Sequence, residues 1–218
     1  MMASLPLVPS GTSPRVLLLG AHCDDIEIGC GGALQAIVRR HPEAELRWVV
    51  LSSTPEREAE TRRAAERLLP NVAIRFDIAR FRENYFPYIG ADVKDYVHAV
   101  AQGYAPDLVF THFVRDKHQD HRTVAELTHN AFRNHLILEY EIVKYDGDLG
   151  TPNVFVPLQP EQAEKKIQTV MDAFVSQRTK HWFTADTFRA LLRIRGIESN
   201  APSGFAEAFH CTKLRFLQ

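Results

Sequence analysis

Cysteine is scarce in this chain of 218 residues, and long apolar runs are missing. The three cysteines, Cys23, Cys30 and Cys211, cannot all pair within one chain, which favours a reducing setting over a disulfide framework. No apolar stretch approaches the roughly 20 residues that a membrane-spanning helix needs. The first residues also lack the basic start and the apolar run of a signal peptide. We therefore expect a cytoplasmic protein without a membrane span.

An excess of charge of one sign is absent too. Basic residues number 26 and acidic residues 27, so the chain lacks the broad positive field of a non-specific nucleic-acid binder. Hydrophobic residues make up 45% and charged residues 24%, which is the balance of an ordinary globular protein. A chain of this length buries roughly 70% of the surface that its unfolded form exposes, enough for one domain with a sizeable core. We expect no nucleic-acid partner and a small-molecule substrate.

Continuous apolar runs alternate with helical spacings along the chain. Residues 16–21 (VLLLGA) are apolar throughout, which is typical of a strand covered on both faces. Further strands are predicted over residues 46–52, 72–76, 108–111 and 136–142, and the longest helices over residues 55–69 and 162–179. The alternation predicts an α/β fold, a single-domain Rossmann-like three-layer sandwich with a mostly parallel sheet of strand order 3-2-1-4-5 plus C-terminal additions. Residues 1–13 are predicted to be a flexible arm, with the domain over residues 14–218.

Histidines and carboxylates follow two strands that this order makes neighbours. Ligands of open α/β sheets bind beyond the C-terminal ends of the strands, at the point where the winding reverses, which here is between the first and fourth strands. Imidazole and carboxylate together suit zinc or iron(II), and a catalytic site usually has three protein ligands and one position for water. His22, Asp25 and His121 make such a set. The pattern therefore predicts a divalent metal centre at this edge of the sheet.

Other residues near these strands are expected to have structural roles. The glycines that follow the first strand do not have the GxGxxG spacing of a dinucleotide-binding loop, and acidic neighbours would repel a pyrophosphate. We expect them to form a tight turn into the next helix: Gly29, Gly31 and Gly32. Three further histidines show no partner pattern and are expected to be capped or surface residues: His112, His129 and His210.

Two segments resemble the motifs of a known enzyme family. Residues 21–32 (AHCDDIEIGCGG) resemble the AHPDDxxxGxGG signature of the LmbE-like, or PIG-L type, metal-dependent N-deacetylases, and residues 115–122 (RDKHQDHR) resemble the downstream HPDH segment. The resemblance extends over roughly residues 14–210 and identifies residues 14–218 as an LmbE-like deacetylase domain. The chain departs from the family pattern at positions that are not ligands in the family: Cys23, Ile26 and Gln119.

The resemblance implies a role for each matching position. It makes His22, Asp25 and His121 the ligands of Zn²⁺, with Fe²⁺ or another divalent metal as alternatives. Asp24 becomes the general base that activates water, and His118 becomes the group that stabilises the oxyanion or protonates the leaving amine. Asp120 would accept the other ring N–H of His118. Asp116 is assigned only to the positioning of its loop.

Three residues are expected to bind substrate. Arg57 resembles a family position near the substrate, whereas Tyr145 and Asp146 belong to a polar stretch after the fifth strand that suits sugar hydroxyls. The resemblance implies a zinc-dependent hydrolase that removes an N-acetyl group from an amino sugar or related glycoconjugate. It also implies a homo-oligomer, a trimer or hexamer, as in many relatives.

Two alternatives stay open. A metal-dependent amidase or deformylase that acts on a non-sugar amide would use the same metal and water. A non-catalytic, Rossmann-like binding module would keep the fold without the reaction, and its metal content after purification would distinguish it from an enzyme.

Overall fold

The computed structural model describes residues 13–215 of the chain. The predicted flexible arm, residues 1–13, lies outside this range apart from Ser13, as do residues 216–218. Within the described range the chain forms one sheet with helices on both of its faces. No helix in this range has both the length and the apolar character that a membrane crossing requires.

Seven strands form the sheet, in the order β3-β2-β1-β4-β5-β7-β6. They are β1 (Arg15–His22), β2 (Glu45–Ser52), β3 (Ile74–Ile78), β4 (Leu108–His112), β5 (Leu136–Tyr140), β6 (Val154–Pro157) and β7 (Ala206–His210). The first five are parallel and have the predicted order 3-2-1-4-5. The C-terminal additions, β7 and β6, pair antiparallel at the β5 edge. The predicted fold class is therefore confirmed.

Among the described residues, six α-helices cover the two faces of the sheet. They are α1 (Asp25–Arg40), α2 (Pro55–Leu68), α3 (Gly90–Gln102), α4 (Gln119–Ala131), α5 (Pro160–Ala173) and α6 (Ala185–Glu198). Apolar residues of α1, α2, α5 and α6 pack in one core cluster, and those of α3 and α4 pack in a second. The alternating side chains of β1 divide between the two clusters, so this central strand is covered on both sides as its continuous apolarity predicts.

The C-terminal third differs from the prediction in three respects. The helix predicted over residues 162–179 ends at Ala173, because Phe174 leaves the helical conformation and is fully buried, and a 3-10 turn over Val175–Gln177 follows. Strand β6 was not predicted, since it has only four residues, none fully buried, at the edge of the sheet. Helix α6 was not predicted either, since arginines interrupt its narrow apolar face.

The glycines expected in a turn lie inside a helix instead. Gly29 and Gly32 belong to α1, which begins at Asp25, directly after the strand-end loop. A Cβ on Gly29 would overlap the ring of Tyr140, and one on Gly32 would overlap the side chain of Leu158. Their function is therefore close packing of α1 against the sheet, and the expectation of a tight turn was wrong. This close approach brings the first turn of α1 onto the ends of the central strands.

Candidate metal centre and active site

The three expected metal ligands converge at one edge of the sheet. His22 is the last residue of β1, Asp25 is the first residue of α1, and His121 lies in the first turn of α4. His22 Nδ1 lies 3.2 Å from His121 Nε2, Asp25 Oδ2 lies 3.5 Å from His22 Nδ1, and Asp25 Oδ1 lies 3.5 Å from His121 Nε2. Ligand atoms about 2.0–2.2 Å from a tetrahedral metal lie about 3.3–3.6 Å apart. The two ring nitrogens and the two carboxylate oxygens of Asp25 therefore have separations that a metal ion requires of its ligands.

Asp25 is fixed by the start of its own helix. Its Oδ2 accepts a hydrogen bond from the backbone N–H of His22 at 2.7 Å, and a carboxylate in the first turn interacts favourably with the helix dipole. Burial acts to raise the pKa of Asp25, but the neighbouring His121 and His112 hold it well below its usual value. Asp25 is thus an ionised carboxylate between imidazoles.

Asp120 does not have the predicted partner. We expected its carboxylate to accept a hydrogen bond from His118, but it lies 3.1 Å from Nε2 of His22 and accepts the backbone N–H groups of Asn84 and Phe86 at 2.6 and 3.1 Å. This pairing turns the Nδ1 atom of His22 towards the other two donor atoms. A carboxylate on the far nitrogen of a ligating histidine is the usual arrangement that orients such a ring.

Asp116 has the same relation to the second imidazole. Its Oδ2 lies 2.9 Å from Nδ1 of His121, and its Oδ1 lies 2.9 Å from Nζ of Lys144. Burial acts to raise the pKa of Asp116, but the hydrogen bond and charge of His121, together with Lys144, lower it. Asp116 therefore does more than position a loop, because it directs Nε2 of His121 towards His22 and Asp25.

The carboxylates of this cluster together favour a positive charge. Burial acts to lower the pKa of His22, but Asp120 and Asp25 outweigh it and raise the pKa to about 10. The same surroundings that stabilise an imidazolium here would stabilise a cation among the three donor atoms. The residues present therefore fit a divalent metal, both in donor chemistry and in charge.

In the part of the chain that the structure describes, two further groups of potential ligand atoms overlap this set: His22, His118 and Asp120, and His112, Asp116 and His121. In both groups the carboxylate already binds the outer nitrogen of a histidine that belongs to the first set. Only the first set leaves its inner nitrogen atoms facing a shared carboxylate. We therefore treat the other two groups as the supporting layer of one centre.

Asp24 lies beside the centre in an unusual backbone conformation. It precedes α1 with φ at 98°, in the left-handed region that few residues other than glycine adopt. Its Oδ1 accepts a hydrogen bond from Nη2 of Arg57 at 3.1 Å. Burial raises the pKa of Asp24 to about 7 against the opposing charge of Arg57. Two adjacent aspartates thus have opposite pKa displacements, a pattern typical of carboxylates with different chemical roles.

His118 caps α4 and faces the two imidazoles of the centre. Its Nδ1 accepts the backbone N–H of Asp120 at 3.2 Å, so the proton of the neutral ring lies on Nε2. Its ring stacks on His121 at 4.5 Å and meets His22 edge-on at 4.9 Å. Burial and the charge of His22 lower the pKa of His118. A neutral imidazole with an N–H at Nε2 is a hydrogen-bond donor at the edge of the centre.

The expected substrate residues separate into two sets. Thr54 caps α2, and this places Arg57 in the first turn with its Nη2 bound to the carbonyl of Cys23 at 2.6 Å and its Nη1 3.2 Å from Glu83. Arg57 also binds Asp24 at 3.1 Å, which places it beside the centre, and its contact with substrate stays a prediction. The other two residues are exposed: Tyr145 and Asp146.

Sequence reasoning missed His112, which was expected at the surface or in a cap. It is fully buried at the end of β4, and its ring stacks on His121 at 3.9 Å. The signal was present, because His112 ends its strand at the same sheet edge as His22. The two histidines grouped with it are also buried or paired: His129 binds Glu139 at 2.8 Å and His210 stacks on Phe113 at 3.8 Å.

Solved structures with the same fold carry different named activities. A conserved protein of Thermus thermophilus is 20% identical, with a TM-score of 0.71 over 94% of this chain and 97% of that one. The N,N'-diacetylchitobiose deacetylase of Pyrococcus horikoshii is 18% identical, with a TM-score of 0.66 over 91% and 84%. The 4-carboxy-2-hydroxymuconate hydratase of Pseudomonas putida is 16% identical, with a TM-score of 0.75 over 94% and 98%. At these identities the likeness shows the fold alone.

The sequence match is more specific than the fold. The family model PIG-L, described as GlcNAc-PI de-N-acetylase, matches residues 17–132, which is more than half of the chain and contains both motifs. The resemblance drawn from residues 21–32 and 115–122 is therefore confirmed, and this protein belongs to the PIG-L family of LmbE-like proteins.

Proposed function

We propose that this protein is a metal-dependent hydrolase that removes an N-acetyl group from an amino sugar or related glycoconjugate. The observation that carries the proposal is the group of potential ligand atoms from His22, Asp25 and His121, with Asp24 next to Asp25 at the start of α1. The family description supports a de-N-acetylase, and the deacetylase of Pyrococcus horikoshii has the same fold. The reaction class and the sugar come from these similarities rather than from the geometry.

The cation would be held by Nδ1 of His22, the carboxylate of Asp25 and Nε2 of His121. Two histidines and one carboxylate are a usual ligand set for catalytic zinc, which makes Zn²⁺ the first choice. Such a cation, when bound, makes nearby water more acidic and polarises the carbonyl group of an amide.

Asp24 would act as the general base. Its Oδ1 is bound by Arg57, which leaves Oδ2 to accept a proton from the attacking water. A carboxylate whose pKa lies near 7 is well matched to proton transfer at neutral pH. Asp24 binds Arg57 whereas Asp25 binds the backbone N–H of His22, so one aspartate would handle the proton and the other would bind the cation.

His118 would serve the other side of the amide. Its Nε2–H can donate a hydrogen bond to the developing oxyanion or a proton to the leaving nitrogen. Tyr145 and Asp146 would contact the sugar from the exposed loop after β5. Lys144, the residue before them, is bound to Asp116 beside the centre, and this ties the loop to the site.

A panel of N-acylated amino sugars tests the proposal. Free, nucleotide-linked and lipid-linked N-acetyl sugars would be assayed for acetate, with N-formyl and thiol-conjugated amides for comparison. We expect acetate from at least one sugar, and none from a His22→Ala, His121→Ala double variant. Product only from the non-sugar amides would favour the amidase or deformylase alternative. A metal-loaded protein that hydrolyses nothing would overturn the proposal.

A further inference from the structure

His112 contacts the neighbourhoods of all three proposed ligands without belonging to the set. Its Nε2 accepts the backbone N–H of Ala21, the residue before His22, at 2.9 Å, and the same atom lies 3.2 Å from Oδ2 of Asp25. Its ring lies 3.9 Å from that of His121 with an interplanar angle of 17°. One buried side chain therefore touches the end of β1, the carboxylate and the second imidazole.

The surroundings of His112 allow little movement of its ring. Tyr140 lies 4.8 Å away between ring centroids, and its hydroxyl donates to the carbonyl of Leu19 at 2.6 Å and lies 3.3 Å from Nε2 of His112. Tyr140 itself is pressed against Gly29 of α1, where a Cβ would overlap its ring. The position of His112 is thus fixed by β1, β5 and α1 together.

These contacts argue that His112 is not itself a ligand. The lone pair of Nε2 already receives the N–H of Ala21. Within residues 13–215, the only three-residue group that includes His112 also contains Asp116, whose two oxygens are bound by the outer nitrogen of His121 and by Lys144. What His112 can do is hold the backbone beside His22, through the N–H of Ala21, and the ring plane of His121, on which it stacks. Its contact with Oδ2 of Asp25 only limits where that carboxylate can lie.

We propose that His112 is a positioning residue that sets the affinity of the metal centre by fixing the backbone beside His22 and the ring of His121. The inference rests on the proposed function, because it requires that the three ligands bind a cation. Supporting residues of this kind alter metal affinity by about 10- to 100-fold when they are replaced. Two substitutions separate the contributions: His112→Phe keeps the ring face and removes the hydrogen-bonding nitrogen, whereas His112→Gln keeps an acceptor and removes the ring.

The test is a titration of metal-free protein with Co²⁺ at fixed pH, followed by its d–d absorption spectrum. We expect His112→Phe to bind Co²⁺ about 10- to 100-fold more weakly than wild type, with an altered spectrum. His112→Gln should recover part of the affinity, because it can still accept the N–H of Ala21. His129→Gln is the matched control, since His129 also binds a buried carboxylate, Glu139, but touches none of the ligands. It should bind Co²⁺ as wild type does.

Each outcome decides the inference. Wild-type affinity and spectrum in a folded His112→Phe protein would overturn it alone and leave the metal centre intact. Absence of Co²⁺ binding by the wild type would overturn the metal centre and this inference with it. If His112→Phe does not fold, the comparison passes to His112→Gln against His129→Gln, and equal affinities of these two variants would overturn the inference.

Discussion

Helix α1 buries carboxylates at two places, and the two differ in how their charge is balanced. In its middle, Glu207 of β7 accepts the N–H of Gly32 at 2.7 Å and Nζ of Lys166 at 2.5 Å through Oε1, and the N–H of Ala33 at 2.6 Å through Oε2. Lys166 also donates to the carbonyl of Ile28 at 2.6 Å. Each charged group thus has at least two partners close by.

At the start of α1 the buried charges are not fully compensated by their neighbours. Burial raises the pKa of Asp24 to about 7, and the carboxylates around His22 raise its pKa to about 10. One buried pair is therefore neutralised by its own neighbours, whereas the other cluster favours a proton or a cation that the chain does not supply. We interpret the Lys166–Glu207 pair as structural and the perturbed pKa values at the start of α1 as typical of a functional site.

The largest effect should come from the two adjacent aspartates at the start of the helix. Asp24→Asn should leave the metal bound, since the three ligands remain, but lower kcat/KM by about 100- to 10,000-fold, the range of general-base catalysis. Asp25→Asn should lose metal and activity together, because a neutral amide is a poorer ligand for a dication. Elemental analysis and kinetics on both variants check this.

The reverse result would contradict the roles assigned to the two aspartates. If Asp24→Asn loses metal while Asp25→Asn keeps it, the two roles are exchanged. If both variants stay active, the start of α1 is not a hydrolytic site.

The second effect concerns the buried pair of Lys166 and Glu207. Glu207→Gln leaves the ammonium of Lys166 buried without a counter-charge, and we expect it to lower the free energy of unfolding by about 3–5 kcal/mol. Urea unfolding measures the loss. The Lys166→Met, Glu207→Gln double variant removes the stranded charge as well and should regain part of it. A loss under about 1 kcal/mol in the single variant would show that this pair is not the stabilising counterpart of the site.

The prediction from sequence succeeded where one local pattern determined one element. The continuous apolarity of residues 16–21 indicated a buried strand, and the alternation of strands with helices indicated a parallel sheet with the usual doubly wound order. Val154–Pro157 was missed because a short, half-buried edge strand has no such pattern. The helix predicted to residue 179 was too long because apolar residues continue beyond Ala173, although Phe174 is buried outside the helix.

The site divides in the same way. His22, Asp25 and His121 were found because strand ends and motif spacing place them together. The partner of Asp120 was wrong because His22 lies 98 positions away, and local spacing carries no information on that contact. His112 was missed because it was weighed as a lone histidine, although it ends a strand beside His22.

A smaller effect is expected at the contact that holds α1 against the sheet. Gly29→Ala would force its Cβ into the ring of Tyr140 and should destabilise the fold by about 1–3 kcal/mol. Gly90→Ala is the matched control, because nothing lies within 4 Å of a Cβ there, and it should be neutral or stabilising by up to about 1 kcal/mol. Thermal or urea unfolding of both variants measures the difference. Equal stabilities would mean that packing at Gly29 does not fix the start of the helix.

The smallest effect is expected outside both buried clusters, on the exposed loop after β5. Tyr145 is 66% exposed and lies 4.9 Å from the ring of His181, so its hydroxyl is free to meet a ligand without a cost to the fold. Removal of one hydrogen bond worth about 0.5–1.5 kcal/mol should raise KM by about 2- to 10-fold in Tyr145→Phe and leave kcat nearly unchanged, as loss of uniform binding does. Asp146→Ala should behave alike. Tyr104→Phe is the control, since its hydroxyl donates to the carbonyl of Glu45 at the opposite end of the strands. An unchanged KM in the two loop variants would confine substrate recognition to the buried start of α1, and a fall in kcat instead would extend the chemically active region to the loop.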